Sequence, residues 1–298
     1  MTKMSKENET TLTSVSDVWK DGKNLQGGVK LDLVQHLKRM NERADVERLK
    51  QKGIDLLSLL SYNSPSVLDV GCGIGSDTLR VAKILSDSSK PARIVGIDFN
   101  TEMIAAANYF LSETAPTLNE GVSVEFQQMD ATLLAFEDKS FDLVFISCTL
   151  QHITPDDVVK VLKEVLRVLK SNGSLVVIEP ESSAMKFYSE NKELLEQLGK
   201  VYQQLLMASS SIGSNLFWIL PRVGSTITQK EAIATISEDF QSTDPGWVKL
   251  NGMARLAVTK GIFTQQEADD YVASFSTTVE NRGLMCSSLA FIYKAVAP

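Results

Sequence analysis

The sequence predicts an α/β fold built on a largely parallel sheet, and three observations carry that prediction. Short apolar segments alternate with amphipathic helical ones from about residue 61 onward. A glycine-rich turn, Gly71, Gly73 and Gly75, stands where the first of those strands hands over to a helix. The second strand then ends in an acid, Asp98, roughly twenty residues past the glycines.

The elements follow in order. Residues 1–16 are polar and rich in Ser and Thr. From Leu31 to Leu60 two apolar stripes repeat at helical spacing. Val67–Val70 is the first strand, followed by the glycine turn and a helix through Leu79–Leu85. Ile94–Ile97 is the second strand, Met103–Leu111 the next helix, Val122–Phe126 the third strand and Phe141–Ile146 the fourth. Thr154-Pro155-Asp156-Asp157 opens a helix with an N-cap, a proline at the first helical position and acids in the first turn. Asn172-Gly173 is its expected stop, and Leu175–Ile178 the fifth strand. Beyond Glu179-Pro180, residues 182–208 read as a long helix and Gly213–Arg222 as an apolar loop and short helix. A sixth strand is expected within 229–240, then two helices. The second of these opens on the capping box Thr264–Glu267 and stops at Arg282-Gly283. Ser288–Ala295 is the last strand.

Composition narrows the function. The 298 residues are 43% apolar and 22% charged, which suits a globular domain with a real core. A net charge of −7 and the absence of a dense basic patch argue against a nucleic-acid partner. The most basic stretch, from Lys38 to Lys52, is interleaved with acids and reads as a solvated helix face. Three separated cysteines, Cys72, Cys148 and Cys286, argue for a reducing compartment, and two histidines, His36 and His152, give no metal site. No signal-peptide pattern and no membrane-length apolar run is present, so a cytoplasmic protein without membrane or metal is expected.

The glycine turn indicates the ligand. Its GxGxG spacing is not the GxGxxG of a dinucleotide site, and no Gly-Lys-Ser/Thr of a P-loop follows. Asp69, at the end of the strand, would repel a diphosphate and favour a ligand that carries positive charge. The loop therefore suits an adenosine with a cationic tail, with Asp98 as acceptor for ribose hydroxyls.

Val67-Leu-Asp-Val-Gly-Cys-Gly-Ile-Gly75 closely resembles motif I of class I S-adenosylmethionine-dependent methyltransferases. Val95-Gly-Ile-Asp-Phe-Asn-Thr-Glu-Met103, Phe126-Gln-Gln-Met-Asp-Ala131, Phe141–Ser147 and Val165–Gly173 are similar to the later motifs of that family. The resemblance covers roughly residues 60–180 and is best to the ubiquinone/menaquinone-biosynthesis-like group. It implies a Rossmann-like seven-stranded sheet, mostly parallel with an antiparallel last strand, bearing N-terminal lid helices and a helical insertion after strand five. The implied division is 1–60 for tail and lid, 61–180 for the cofactor core, 181–245 for a substrate cap with strand six, and 246–298 for C-terminal helices and the last strand.

By the same resemblance the cofactor is S-adenosylmethionine, held by Asp69, Gly71, Cys72, Gly73, Gly75, Asp98, Phe99, Met103, Met129, Asp130, Ala131 and Ser147, with Arg43 reaching its carboxylate. Phe99 and Met103 would line the adenine pocket. His152 is the candidate general base. Trp19, His36, Met40, Glu179, Phe217, Trp218 and Arg222 are candidate contacts of a small, apolar acceptor methylated on O, N or C. The alternative is a catalytically silent cofactor-binding partner. Aminopropyl transfer gains no support from the loop. A macromolecular substrate is disfavoured because Ser147-Cys-Thr-Leu stands where many amino-group modifiers carry Asn/Asp-Pro-Pro-Tyr. A monomer or homodimer is expected.

Overall fold

The computed structural model describes residues 33–205, 209–237, 254 and 257–297. The N-terminal tail and Trp19, as well as most of the first helix expected after strand six, lie outside the described residues.

Two helices precede the sheet, α1 over Leu33–Glu42 and α2 over Ala44–Leu57. They part at Arg43, whose backbone is extended at φ −74° and ψ 128°. The strands are β1 (Ser66–Val70), β2 (Ala92–Asp98), β3 (Val122–Gln128), β4 (Phe141–Ser147), β5 (Leu169–Tyr188), β6 (Thr226–Ser237) and β7 (Met285–Val296). Helices α3 (Ser76–Asp87), α4 (Thr101–Thr114) and α5 (Pro155–Val168) make the crossovers between the parallel strands. The sheet order is β3-β2-β1-β4-β5-β7-β6. The pairs from β3 to β5 are parallel, and β7 runs antiparallel to both β5 and β6. Strand order reverses at β1 and β4, which opens a crevice at their carboxyl ends.

Alternation along the strands builds a core on each face. Leu68, Val70, Val144, Ile146 and Val177 face Val158, Val161, Leu162 and Val165 of α5 together with Leu216 and Leu220 of α7 (Ile212–Arg222). Val67, Ile94, Leu143, Phe145 and Val176 face Leu49, Ile54 and Leu57 of α2 and Val81 and Leu85 of α3. A third core joins two helices that follow β5 and β6. Leu194, Leu198 and Val201 of α6 (Lys192–Leu205) meet Ala268, Tyr271 and Phe275 of α8 (Gln265–Glu280) there.

The helix-start signals form as expected. Thr154 caps α5, and the Thr264–Glu267 box caps α8 on both sides. Three boundaries differ. Helix α5 stops at Val168, and Asn172-Gly173 sits within β5, Asn172 in the left-handed region at φ 65°. Residues 182–188 are strand, not helix, because Lys186, Phe187 and Tyr188 pair with Ser287, Cys286 and Met285 of β7. Gly213–Arg222 is helical throughout, with Pro221 tolerated in the last turn. Among the described residues no helix is long and apolar enough to cross a membrane.

Candidate cofactor site at the carboxyl ends of the parallel strands

The glycine turn is held by its neighbours as much as by its own composition. Gly71, Gly73 and Gly75 all take positive φ, at 76°, 53° and 80°. A Cβ on Gly71 would stand 2.3 Å from the Thr149 side chain, and one on Gly75 would stand 2.5 Å from the Phe126 ring. Both positions therefore exclude an L side chain on two grounds, conformation and space. The amides of Gly71 and Cys72 donate to the Ile97 carbonyl at 2.8 and 2.9 Å, tying the ends of β1 and β2 together. The Thr149 hydroxyl lies within 3.3 Å of the Val70 and Gly71 carbonyls, bringing the turn after β4 against the loop.

Asp98 closes this arrangement from β2. One carboxylate oxygen accepts from the Gly73 amide at 2.9 Å, the other from the Asn100 amide at 2.9 Å. Burial raises its pKa and the amide donors oppose that rise. Asn100 in turn caps α4 through the Glu102 and Met103 amides. Phe99 beside it is 52% exposed. Met103 does not share that position: it is buried against Ile74 in a small core with Val34, Leu37 and Phe110, so it supports the loop from beneath. The Met129 amide donates to the Asp98 carbonyl at 3.0 Å, and Ala131 packs partly against the core. Asp130 is exposed, one oxygen taking the Thr132 amide and hydroxyl at 2.8 Å each.

Asp69 faces the first turn of α3. It is buried and accepts the Thr78 hydroxyl at 2.6 Å. Burial and the Asp77 charge push its pKa up to about 7, opposed by Thr78 and Lys50. The helix pair contributes a cation that the sequence concealed. The Lys50 ammonium reaches Asp77 at 2.7 Å and the Asn41 side-chain oxygen at 2.9 Å, beneath the loop. The expected solvated face from Lys38 to Lys52 thus fails at Lys50. That residue lies four before Ile54 and seven before Leu57, on the buried face. Breaking such a pair costs about 3–5 kcal/mol.

After β4 the chain turns through Cys148, in the left-handed region at φ 54°, into a short 3-10 turn over Leu150–His152. Burial pushes the Cys148 thiol up to about 12 and the Cys72 thiol well above its ordinary value, so neither is a thiolate at neutral pH. Ser147 ends β4, its carbonyl accepting the Thr149 hydroxyl at 3.1 Å. Glu179 is fully buried and accepts the amides of Thr149, Leu150 and Gln151 at 2.8, 2.7 and 3.3 Å. Its place as a substrate contact is thereby replaced by one as the fastener of this turn.

His152 is half-buried. Burial, and secondly the charge of His36 on α1, lower its pKa from 6.5 to about 4. Its folded pKa lies below its unfolded one, so its share of stability is complete above about pH 6.5 and is lost as pH falls toward 4. Histidine NMR titration should show one of the two imidazoles with a midpoint near 4; two midpoints near 6.5 would contradict this environment.

Arg43 forks onto Asp45 at 3.1 and 2.9 Å and lies within electrostatic reach of Cys286 on β7. Met40 is half-buried on α1. Phe217, Trp218 and Arg222 are not part of this site. Helix α7 buries Ile212, Gly213, Leu216 and Leu220 on the sheet, which turns Phe217 and Trp218 outward, 44% and 49% exposed. The Lys230 ammonium of edge strand β6 stands 5.0 Å over the Phe217 ring. Arg222 ends the helix four residues before β6 starts at Thr226, which pairs with Val296 beside Ser174, far from the carboxyl end of β5.

Comparison with known proteins agrees with this geometry. Residues 67–173 match a family described as a methyltransferase domain. A demethylmenaquinone methyltransferase of Lactococcus lactis is 36% identical over 146 residues, 47% of this chain and 54% of that protein. A ubiquinone/menaquinone biosynthesis C-methyltransferase, UbiE, of Hydrogenovibrio crunogenus is 33% identical over 185 residues, 61% of this chain and 60% of that protein. The chain thus spans about half to three-fifths of the length of these relatives. A Bacillus halodurans protein, provisionally described as a methyltransferase, has a crystal structure with the same fold at TM-score 0.53. It is 18% identical, and the match covers 84% of this chain and 98% of that one. The matched segment holds the glycine loop and the strands around it, so residues 67–173 are similar to a methyltransferase domain, and the Lactococcus and Hydrogenovibrio relatives come from the ubiquinone/menaquinone-biosynthesis group.

Proposed function

We propose that the protein transfers the methyl group of S-adenosylmethionine to a small, apolar acceptor. The glycine loop carries the reading: three positive-φ glycines open a backbone cradle, and Asp98, pinned to Gly73, presents its carboxylate at the rim. In this reading Asp98 accepts ribose hydroxyls, the Phe99 ring covers the adenine, and Asp130 and the Met129–Ala131 backbone meet its edge. S-adenosylmethionine supplies an already electrophilic methyl group, so the protein's part is to align the acceptor and exclude water. Helix α1 provides the exclusion, since Leu37 lies 3.1 Å from where a Cβ on Gly73 would stand.

The acid–base character of the site favours one kind of acceptor. Burial lowers the His152 pKa to about 4, which makes it a weak base at neutral pH, and Glu179 is occupied by three amides. Such a site suits an acceptor that arrives ionised or electron-rich, for instance an aromatic ring carbon beside a phenolate. The names of the ubiquinone- and menaquinone-pathway relatives support the same class. Incubation with methyl-labelled cofactor and a panel of apolar phenols and quinols, then nucleic acid and protein, tests this. Label in a phenol or quinol is expected, and label only in the macromolecules would contradict it.

A further inference from the structure

Helix α1 is a short cover lying against the glycine loop. It has 10 residues, a length that is marginal for a helix on its own. Val34 and Leu37 rest on the small core of Ile74 and Met103. At its other end the Asn41 side-chain amide donates to the Ser76 hydroxyl at 2.8 Å, and its oxygen accepts from Lys50 at 2.9 Å. Ser76 directly follows Gly75 and opens α3. Lys50 belongs to α2, which is fixed in the main core by Leu49, Ile54 and Leu57. Between α1 and α2 stands the single extended residue Arg43.

The cover thus turns on a one-residue joint, and Asn41 makes its hydrogen bond to the residue that follows the glycine loop. We propose that Asn41 is a positioning residue that latches α1 over the cofactor site, with Lys50 fixing the orientation of its amide and Ser76 receiving it. Lys50 does this because its charge can be met only by oxygen. Asn41 must turn its carbonyl toward Lys50, which aims its amide nitrogen at Ser76. The Lys50–Asp77 pair stays with the body whether the latch is made or not, so opening breaks the two Asn41 bonds and separates Val34 and Leu37 from their apolar contact. Exchange of spent for fresh cofactor would then be timed by this latch. The inference rests on the proposed cofactor reading for its kinetic half alone.

Asn41→Ala and Ser76→Ala test it, with Asn41→Asp as the conservative variant. Aspartate keeps the acceptor for Lys50 and can take the Ser76 hydroxyl as donor. Hydrogen exchange of the α1 amides in the cofactor-free protein should quicken about tenfold in both alanine variants and return toward wild type in Asn41→Asp. Dissociation of S-adenosylhomocysteine, followed by stopped flow, should quicken by a similar factor. KM for S-adenosylmethionine should rise in both alanine variants and return toward wild type in Asn41→Asp, whereas a folding defect would lower the amount of active protein and leave KM in place. Unchanged α1 exchange in both alanine variants overturns the latch. Faster exchange with unchanged product dissociation overturns the positioning role. Wild-type protein that binds neither cofactor form would refute the cofactor reading, and the exchange data would still decide whether Asn41 holds α1.

Discussion

Asp98→Ala is expected to weaken S-adenosylmethionine binding by about 2–3 kcal/mol, which is roughly 30- to 150-fold in Kd. Two losses combine in that figure. The proposed contact with the ribose hydroxyls disappears, and the Gly73 and Asn100 amides lose their 2.9 Å acceptor, so the loop is no longer fixed for the ligand. Asp98→Asn should fall between, because its NH2 group must face one of those two amides. Melting should change far less than affinity, since burial of the Asp98 charge already opposes its favourable bonds. Calorimetric affinities equal to wild type in Asp98→Ala would remove Asp98 from the site.

Glu179→Leu is the second large effect, and it falls on stability. The substitution leaves the amides of Thr149, Leu150 and Gln151 buried without their acceptor, a cost of about 3–5 kcal/mol in denaturant unfolding. Catalysis should fall with it, because the same turn carries His152 and presses Thr149 against Gly71. Glu179→Gln retains one carbonyl acceptor and should lose about 1–2 kcal/mol. The carboxyl also sets a pH dependence. Burial pushes its pKa from 4.5 up to about 8, against the pull of three amide donors, so the folded chain holds this proton more tightly than the unfolded one. Its contribution is therefore full below about pH 4.5 and is lost as pH rises toward 8. The stability difference between wild type and Glu179→Gln should shift in that direction across the window. A Glu179→Leu protein as stable as wild type would show that the turn is held by something else.

Local chemistry is what the sequence displayed best. The strands that flank the glycine turn, the Thr154 cap and the Thr264–Glu267 box depend on neighbours within a few residues, and all of them are found. The seven-stranded, mostly parallel sheet with an antiparallel last strand came from the resemblance, and the sheet has both features. What stayed hidden depends on distant partners. Residues 182–188 look helical until β7 offers Cys286 and its neighbours as a ladder. Phe217 and Trp218 look like pocket walls until Gly213, Leu216 and Leu220 fix which side of α7 meets the sheet. At the site, Asp98 and the glycines were legible because their spacing is local. Lys50, Asn41, Ser76, Asp77 and Thr149 were not, since each gains its meaning from a residue on another element. Lys50 alone left a trace, a charge at the spacing of Ile54 and Leu57.

The most direct test of the account is calorimetric titration of the purified protein with S-adenosylmethionine and S-adenosylhomocysteine, with NAD as control. Micromolar binding of the first two and none of NAD is expected, because the loop's glycine spacing and Asp69 and Asp98 suit an adenosine without a diphosphate. Well-folded protein that binds neither sulfur compound, or that binds NAD instead, would contradict it.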